Sequence, residues 1–161
     1  SQLDRIVEKI KFISVKGKRV TDADLYEIAE SEMGIGNGGR MIEMDELAVM
    51  TVNHLIPTSS VKAKMGGKEA VYSATGTGPV DAALKAVLGM LPMKVQLKEF
   101  SIEAISGGSD AIGHVTIAVE DEQGRIFDAS ASGDDIVLAS AEAMINALNM
   151  LHRLDPHTGK K

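Results

Sequence analysis

Cysteine and tryptophan are both missing from this 161-residue chain, and aromatic residues make up only 3% of it. Without cysteine there are no disulfides and no thiolate metal sites. Net charge is −6, and no run of lysine or arginine exceeds a pair. A nucleic-acid surface needs phosphate-neutralising cations and usually aromatic platforms, and neither is evident. No apolar stretch approaches the length of a membrane span, and the opening Ser-Gln-Leu-Asp-Arg has no signal-peptide core. The expectation is therefore a cytoplasmic chain with neither nucleic-acid nor membrane partners. It starts without methionine, directly on a helical pattern, and reads as a fragment or a trimmed product. The remaining composition, 44% hydrophobic and 25% charged, can build one sizeable core or one core with a small appendage.

The most informative stretch runs from Gly76 to Leu91. Two glycines and a proline make a turn that becomes a helix at once. Val80, Ala83, Leu84, Val87, Leu88 and Leu91 then recur on one face of a 3.6-residue period. Asp81 complements the helix dipole, and Pro92 forbids continuation. The same unit returns when Gly76 is set against Gly133: the six face positions fall on Val137, Ser140, Ala141, Met144, Ile145 and Leu148. The segments before the two glycines, Lys68 to Thr75 and Arg125 to Ser132, are both β-leaning and rich in small residues. Strand, turn and helix face repeat together, which implies a duplicated unit.

Taken in order, Leu3, Ile6, Val7 and Ile10 suggest a short helix ending near Gly17. Thr21 with Asp24 resembles a capping box opening a second helix through Leu25, Ile28, Ala29 and Met33. Two short helices cannot bury their own faces, so they need a partner. The run Gly34 to Gly39 formally contains G-x-G-x-x-G, but a helix precedes it and β pattern follows, the reverse of a dinucleotide site. It reads as a flexible hinge. Leu47 to Ile56 is β-leaning, Val61, Ala63 and Met65 alternate with lysines, and Glu69 to Thr75 completes three strands before the first helix. After it, Val95 and Leu97 occupy odd positions but Phe100, Ile102 and Ala104 even ones, a phase slip at Lys98-Glu99 that suggests a bulge. Val115, Ile117 and Val119, then Phe127, Ala129 and Ala131, supply the remaining strands.

The order βββα-βββα implies an α+β fold with antiparallel sheets. Two units related by internal pseudo-twofold symmetry should pack their sheets with two helices. A two-helix linker subdomain would occupy residues 1–40, the main domain 41–154 and a polar tail 155–161. The stretch Met144 to Met150 is apolar on more than one side, which suggests burial against a second subunit.

Self-sufficient catalysis finds no support. His54 and His114 fall in strand patterns, and His152, Asp155 and His157 sit on or beside the tail. Asp134-Asp135 could be paired carboxylates, but an aspartate at a helix start is what an N-cap needs. The Gly76-Thr77-Gly78 turn reads either as purely structural or as a place for a small anion, because a helix start leaves unpaired N–H groups. An amino acid could set its carboxylate there, its ammonium beside Asp81 or Asp110, and its side chain in an apolar pocket.

Gly76-Thr77-Gly78-Pro79-Val80-Asp81-Ala82, Ser109-Asp110-Ala111-Ile112-Gly113-His114-Val115, Ser132-Gly133-Asp134-Asp135-Ile136 with Ser140, and Asn146-Ala147-Leu148-Asn149 occur in that order. Together they resemble the C-terminal regulatory domain of the 2-isopropylmalate synthase and citramalate synthase family, with Thr77 replacing the usual asparagine of its G-N-G-P-[IV]-D-A signature. The resemblance spans roughly residues 40–154, and residues 1–33 look like the linker to the catalytic barrel. It implies two βββα units, a homodimer, and feedback inhibition by leucine or isoleucine in branched-chain amino acid biosynthesis. The alternative is a dimerisation module that has lost its effector. By resemblance the effector site would comprise Gly76, Thr77, Gly78, Pro79, Val80 and Asp81, with Leu97, Phe100 and Ala104, closed by Asp110, Ala111 and Ile136. No cofactor belongs to this segment. The divalent metal and acetyl-CoA of the condensation belong to the barrel, so the chain alone should not be an enzyme.

Overall fold

The structure is a computed structural model and describes residues 1–15, 19–33, 41–92, 94–104, 108–109 and 111–154. Its elements are α1 (Gln2–Val15), α2 (Asp22–Met33), β1 (Ile42–Met50), β2 (Thr58–Met65), β3 (Lys68–Thr75), α3 (Pro79–Gly89), β4 (Gln96–Ala104), β5 (Gly113–Glu120), β6 (Ile126–Gly133) and α4 (Ile136–Leu154). The expected α+β order is thus observed. The strands form two three-stranded antiparallel sheets, β1-β2-β3 and β4-β5-β6. Helix α3 packs on the first sheet, α4 on β5 and β6, and the two helices pack on each other.

The repeat extends to the register. In the first sheet the pairing slips between Met44 and Glu46, opposite Ala63 and Lys62. In the second it slips between Leu97 and Glu99, opposite Val119 and Ala118. Asp45 and Lys98 are therefore equivalent extra residues, and the bulge read at Lys98 is present. Each bulge has the same effect. It brings Met44, Leu47 and Val49, or Leu97, Phe100 and Ile102, onto the face that meets the helices.

Val61, Ala63, Val115, Ile117 and Val119 of the central strands are wholly buried under that helical layer. On α3 the predicted stripe is buried or half-buried, and Ala82 and Ala86 on the opposite side are also at 0% exposure. Those small side chains let α4 approach. Met144, Ile145, Leu148 and Met150 are buried within this single chain, because α4 packs simultaneously against α3, β1, β5, β6 and α2. The apolar surplus of α4 is consumed internally, contrary to the expectation of a second subunit there.

Three further positions differ from, or settle, the sequence reading. Strand β1 begins at Ile42, five residues before the apolar run. Asn149 on α4 accepts the Ile42 N–H at 2.8 Å and donates to its carbonyl at 3.0 Å, so the start of the strand is held from a distant helix. His54 is not in a strand but in a turn, with a positive φ of 68°. His114 does lie in a strand, buried and 2.6 Å from the Ser132 hydroxyl.

The capping box of α2 is formed: Asp24 accepts the Thr21 N–H at 2.9 Å, and the Thr21 hydroxyl accepts the Asp24 N–H at 3.3 Å. Asp135 caps α4, accepting the Val137 and Leu138 N–H groups at 2.9 and 3.0 Å. The proposed hinge at Gly34 to Gly39 and the tail at 155–161 lie outside the described residues.

Candidate functional site

The β3–α3 turn is built around Gly76. A Cβ there would stand 2.4 Å from the Ala82 nitrogen, 2.6 Å from the Asp81 carboxylate and 2.8 Å from the Asp81 carbonyl carbon. Only glycine admits the first turn of α3 so close to the end of β3. The N-cap, Gly78, is extended and supplies no side-chain cap, and Pro79 follows at the first helical position.

Asp81 turns back to accept the Thr77 N–H at 2.9 Å, and the Thr77 hydroxyl reaches the same oxygen at 3.4 Å. Lys85, one turn on, donates to that oxygen at 2.9 Å. The Lys85 ammonium, then the Thr77 N–H, hold the Asp81 carboxyl below the usual carboxylate range. The acid and one of the N–H groups that sequence reasoning offers to a ligand thus satisfy each other. Val80 is half-buried against the core.

The remaining predicted residues belong to the second unit. Leu97, Phe100 and Ala104 lie on one face of β4, opposite Val119, Ile117 and Gly113. Ile136 opens α4, and Gly113 has the side chains of Ile136 and Ile102 directly over it, 3.3 and 3.8 Å from where a Cβ would be. Ala104, Ile102 and Ile136 therefore converge on Gly113. Ala111 is half-buried just before β5, and its N–H reaches the Gly108 carbonyl at 3.3 Å. Asp110 lies outside the described residues. Ile102 and Gly113 were not named among the expected site residues, although the alternation with Phe100 already placed Ile102 on the same face.

Among the described residues, α3 and β4 make no contact. Helix α3, which follows the glycine turn, therefore does not cover the β4 row within the described residues. The reason is an asymmetry between the repeats. Helix α4 has 19 residues and α3 has 11. The longer helix reaches across to β1, which α3 also touches, so Met44 and Leu47 pack against the core. Among the described residues no helix reaches β4, and the equivalent row stays open, with Leu97 at 38%, Phe100 at 37% and Ile102 at 42% exposure.

Among the described residues, no group of three or more acids and histidines could hold a metal ion, and no helix is long and apolar enough to cross a membrane. Comparison with known proteins adds a family. Residues 19–152 match the model of the LeuA allosteric (dimerisation) domain. Over 156 residues the chain is 49% identical to a probable 2-isopropylmalate synthase of Methanosarcina acetivorans, covering 95% of this chain and 30% of that protein. It is 44% identical over 151 residues to the 2-isopropylmalate synthase of Methanocaldococcus jannaschii, covering 93% and 29%. A putative (R)-citramalate synthase of Methanopyrus kandleri is 40% identical over 154 residues, covering 93% and 30%. The chain spans less than a third of the length of these relatives, and it belongs to the LeuA allosteric (dimerisation) domain family.

Proposed function

We propose that this chain is the regulatory domain of a 2-isopropylmalate or citramalate synthase, and that as a homodimer it binds leucine or isoleucine to inhibit the parent enzyme. The observation that carries this reading is the open row Leu97, Phe100 and Ile102 beside Ile136. A branched aliphatic side chain buries about 0.8 kcal/mol per methylene against such a surface. The charged end of the amino acid needs N–H groups and an acid, which the row itself lacks. A second copy can bring them, from its Gly76–Val80 turn, to the β4 row of the first, so that effector binding and dimerisation draw on the same face. In the parent protein the α1–α2 linker then carries the bias to a catalytic barrel, which would hold the divalent metal and acetyl-CoA. A ligand can do this only by binding the two arrangements with different affinity.

A second reading is favoured by Asp81. Its carboxylate already occupies the Thr77 N–H, so one of the turn's donors is satisfied without a ligand. On that reading the domain only dimerises. Isothermal titration of this chain with leucine, isoleucine and valine separates the two. Heat from one amino acid alone names the effector. Silence from all three, with a dimer by light scattering, leaves dimerisation as the function.

A further inference from the structure

The linker helix α2 is joined to the second sheet by two aspartates 106 residues apart. The Asp22 N–H donates to the Asp128 carboxylate at 2.7 Å, and the Asp128 N–H donates to the Asp22 carboxylate at 3.1 Å. Each side chain crosses over the other's backbone, so the two carboxyl groups face each other at the seam. Asp22 is the first residue of α2, and Asp128 lies in the middle of β6. We propose that Asp22 and Asp128 form a proton-sensitive clasp that sets how tightly α2 is held on the second sheet, closing more firmly when the pair shares a proton.

Two like charges this close oppose each other unless a proton or a cation intervenes. Among the described residues one cation is present: Arg19 reaches the Asp128 carboxylate at 3.1 Å, but its side chain is 70% exposed while that of Asp128 is 16% exposed. A solvated guanidinium compensates a half-buried carboxylate poorly. The cavity of about 440 Å³ shared by Arg19 and Asp128 is also lined by Lys98 and Glu99, of which Lys98 pairs with Glu120. Asp24, on α2 itself, is committed to Thr21. Helix α4, packed on both α2 and β6, carries Glu142, His152 and Arg153, and β5 carries His114 against Ser132. At the far end of α2, Glu32 is taken by Lys9 and Arg5 of α1.

Burial, then the adjoining Asp22 carboxyl, push the Asp128 carboxyl up, against the Asp22 N–H and Arg19. The docked state therefore binds a proton more readily than the undocked one. Docking is strongest below the ordinary aspartate range and weakens as pH rises through the raised value. This device needs no bound amino acid, so silence in the titrations above would leave it standing.

Hydrogen exchange of the 161-residue chain tests it, with rates corrected for the chemical pH dependence. The peptide covering residues 19–33 should lose protection as pH is raised from below the ordinary aspartate range to about 7.5, with no matching change in α3. Asp128→Asn, which resembles the protonated form, should raise that protection at about pH 7.5 and flatten its pH dependence. A flat profile in the unaltered chain, an equal change in α3, or an unchanged slope in Asp128→Asn would each overturn the clasp. Should that variant not fold, carboxyl carbon NMR of the unaltered chain decides the matter. A coupled pair with one carboxyl above the ordinary range supports the clasp, and two ordinary titrations refute it.

Discussion

Asn149 provides the sharpest test of how the two halves are joined. Its side-chain amide satisfies both backbone groups of Ile42 at distances of 2.8 and 3.0 Å, Asn149 is 4% exposed, and Ile42 is wholly buried. Asn149→Leu keeps the forked shape and the number of side-chain heavy atoms, in a bulkier form, but leaves that N–H and carbonyl without partners. Each orphaned buried group costs about 1–3 kcal/mol, so the variant should lose about 2–6 kcal/mol. That is a large share of the roughly 5–15 kcal/mol that holds a domain folded. Urea unfolding at fixed protein concentration measures it, because a dimer's stability depends on concentration. Asn149→Asp refines the test. Its ionised carboxylate still accepts the Ile42 N–H but sets a negative charge against the Ile42 carbonyl. Protonation restores a donor, so this variant should be destabilised at neutral pH and regain stability as pH falls. A loss below about 0.5 kcal/mol in Asn149→Leu, or no acid recovery in Asn149→Asp, would refute the view that Asn149 anchors β1.

Gly76→Ala should cost about 1–3 kcal/mol, since the new Cβ meets backbone of α3, whereas Gly78→Ala, with nothing within 4 Å, should be tolerated; urea midpoints compare them. Asp135→Ala removes the cap of α4 and should cost about 1 kcal/mol by the same measurement. The Asp81 contribution to its turn should persist above the ordinary aspartate range and fade as pH falls through its depressed value, and the Thr77 amide shift in NMR should follow that titration. Phe100→Glu places a charge on the open β4 row and, on the proposed reading, should weaken the dimer in light scattering at micromolar concentration while far-UV circular dichroism stays unchanged.

What the sequence discloses and what it hides follow from range. The α3 and α4 stripes, the alternation of β2 and β5, the Asp135 cap and the Lys98 bulge all depend on neighbours within a few residues, and all are legible as pattern. The start of β1 is not. Glu43, Asp45 and Glu46 make it look like a polar loop, and its strand character comes from β2 and from Asn149 on α4. The apolar excess of α4 is visible in the sequence, but its partner is not. Periodicity counts faces without saying which element covers them, and here β1 covers one. The candidate site is legible in pieces for the same reason. The Gly76 turn and the β4 row are each readable, yet which elements cover the row depends on where a helix of another unit ends. The Asp22–Asp128 pair leaves no local trace at all.

The eight residues by which α4 outruns α3 have a consequence for assembly. Lengthening one arm alone roofs one side and leaves a greasy slot on the other, among the apolar surfaces that the described residues offer to a neighbour.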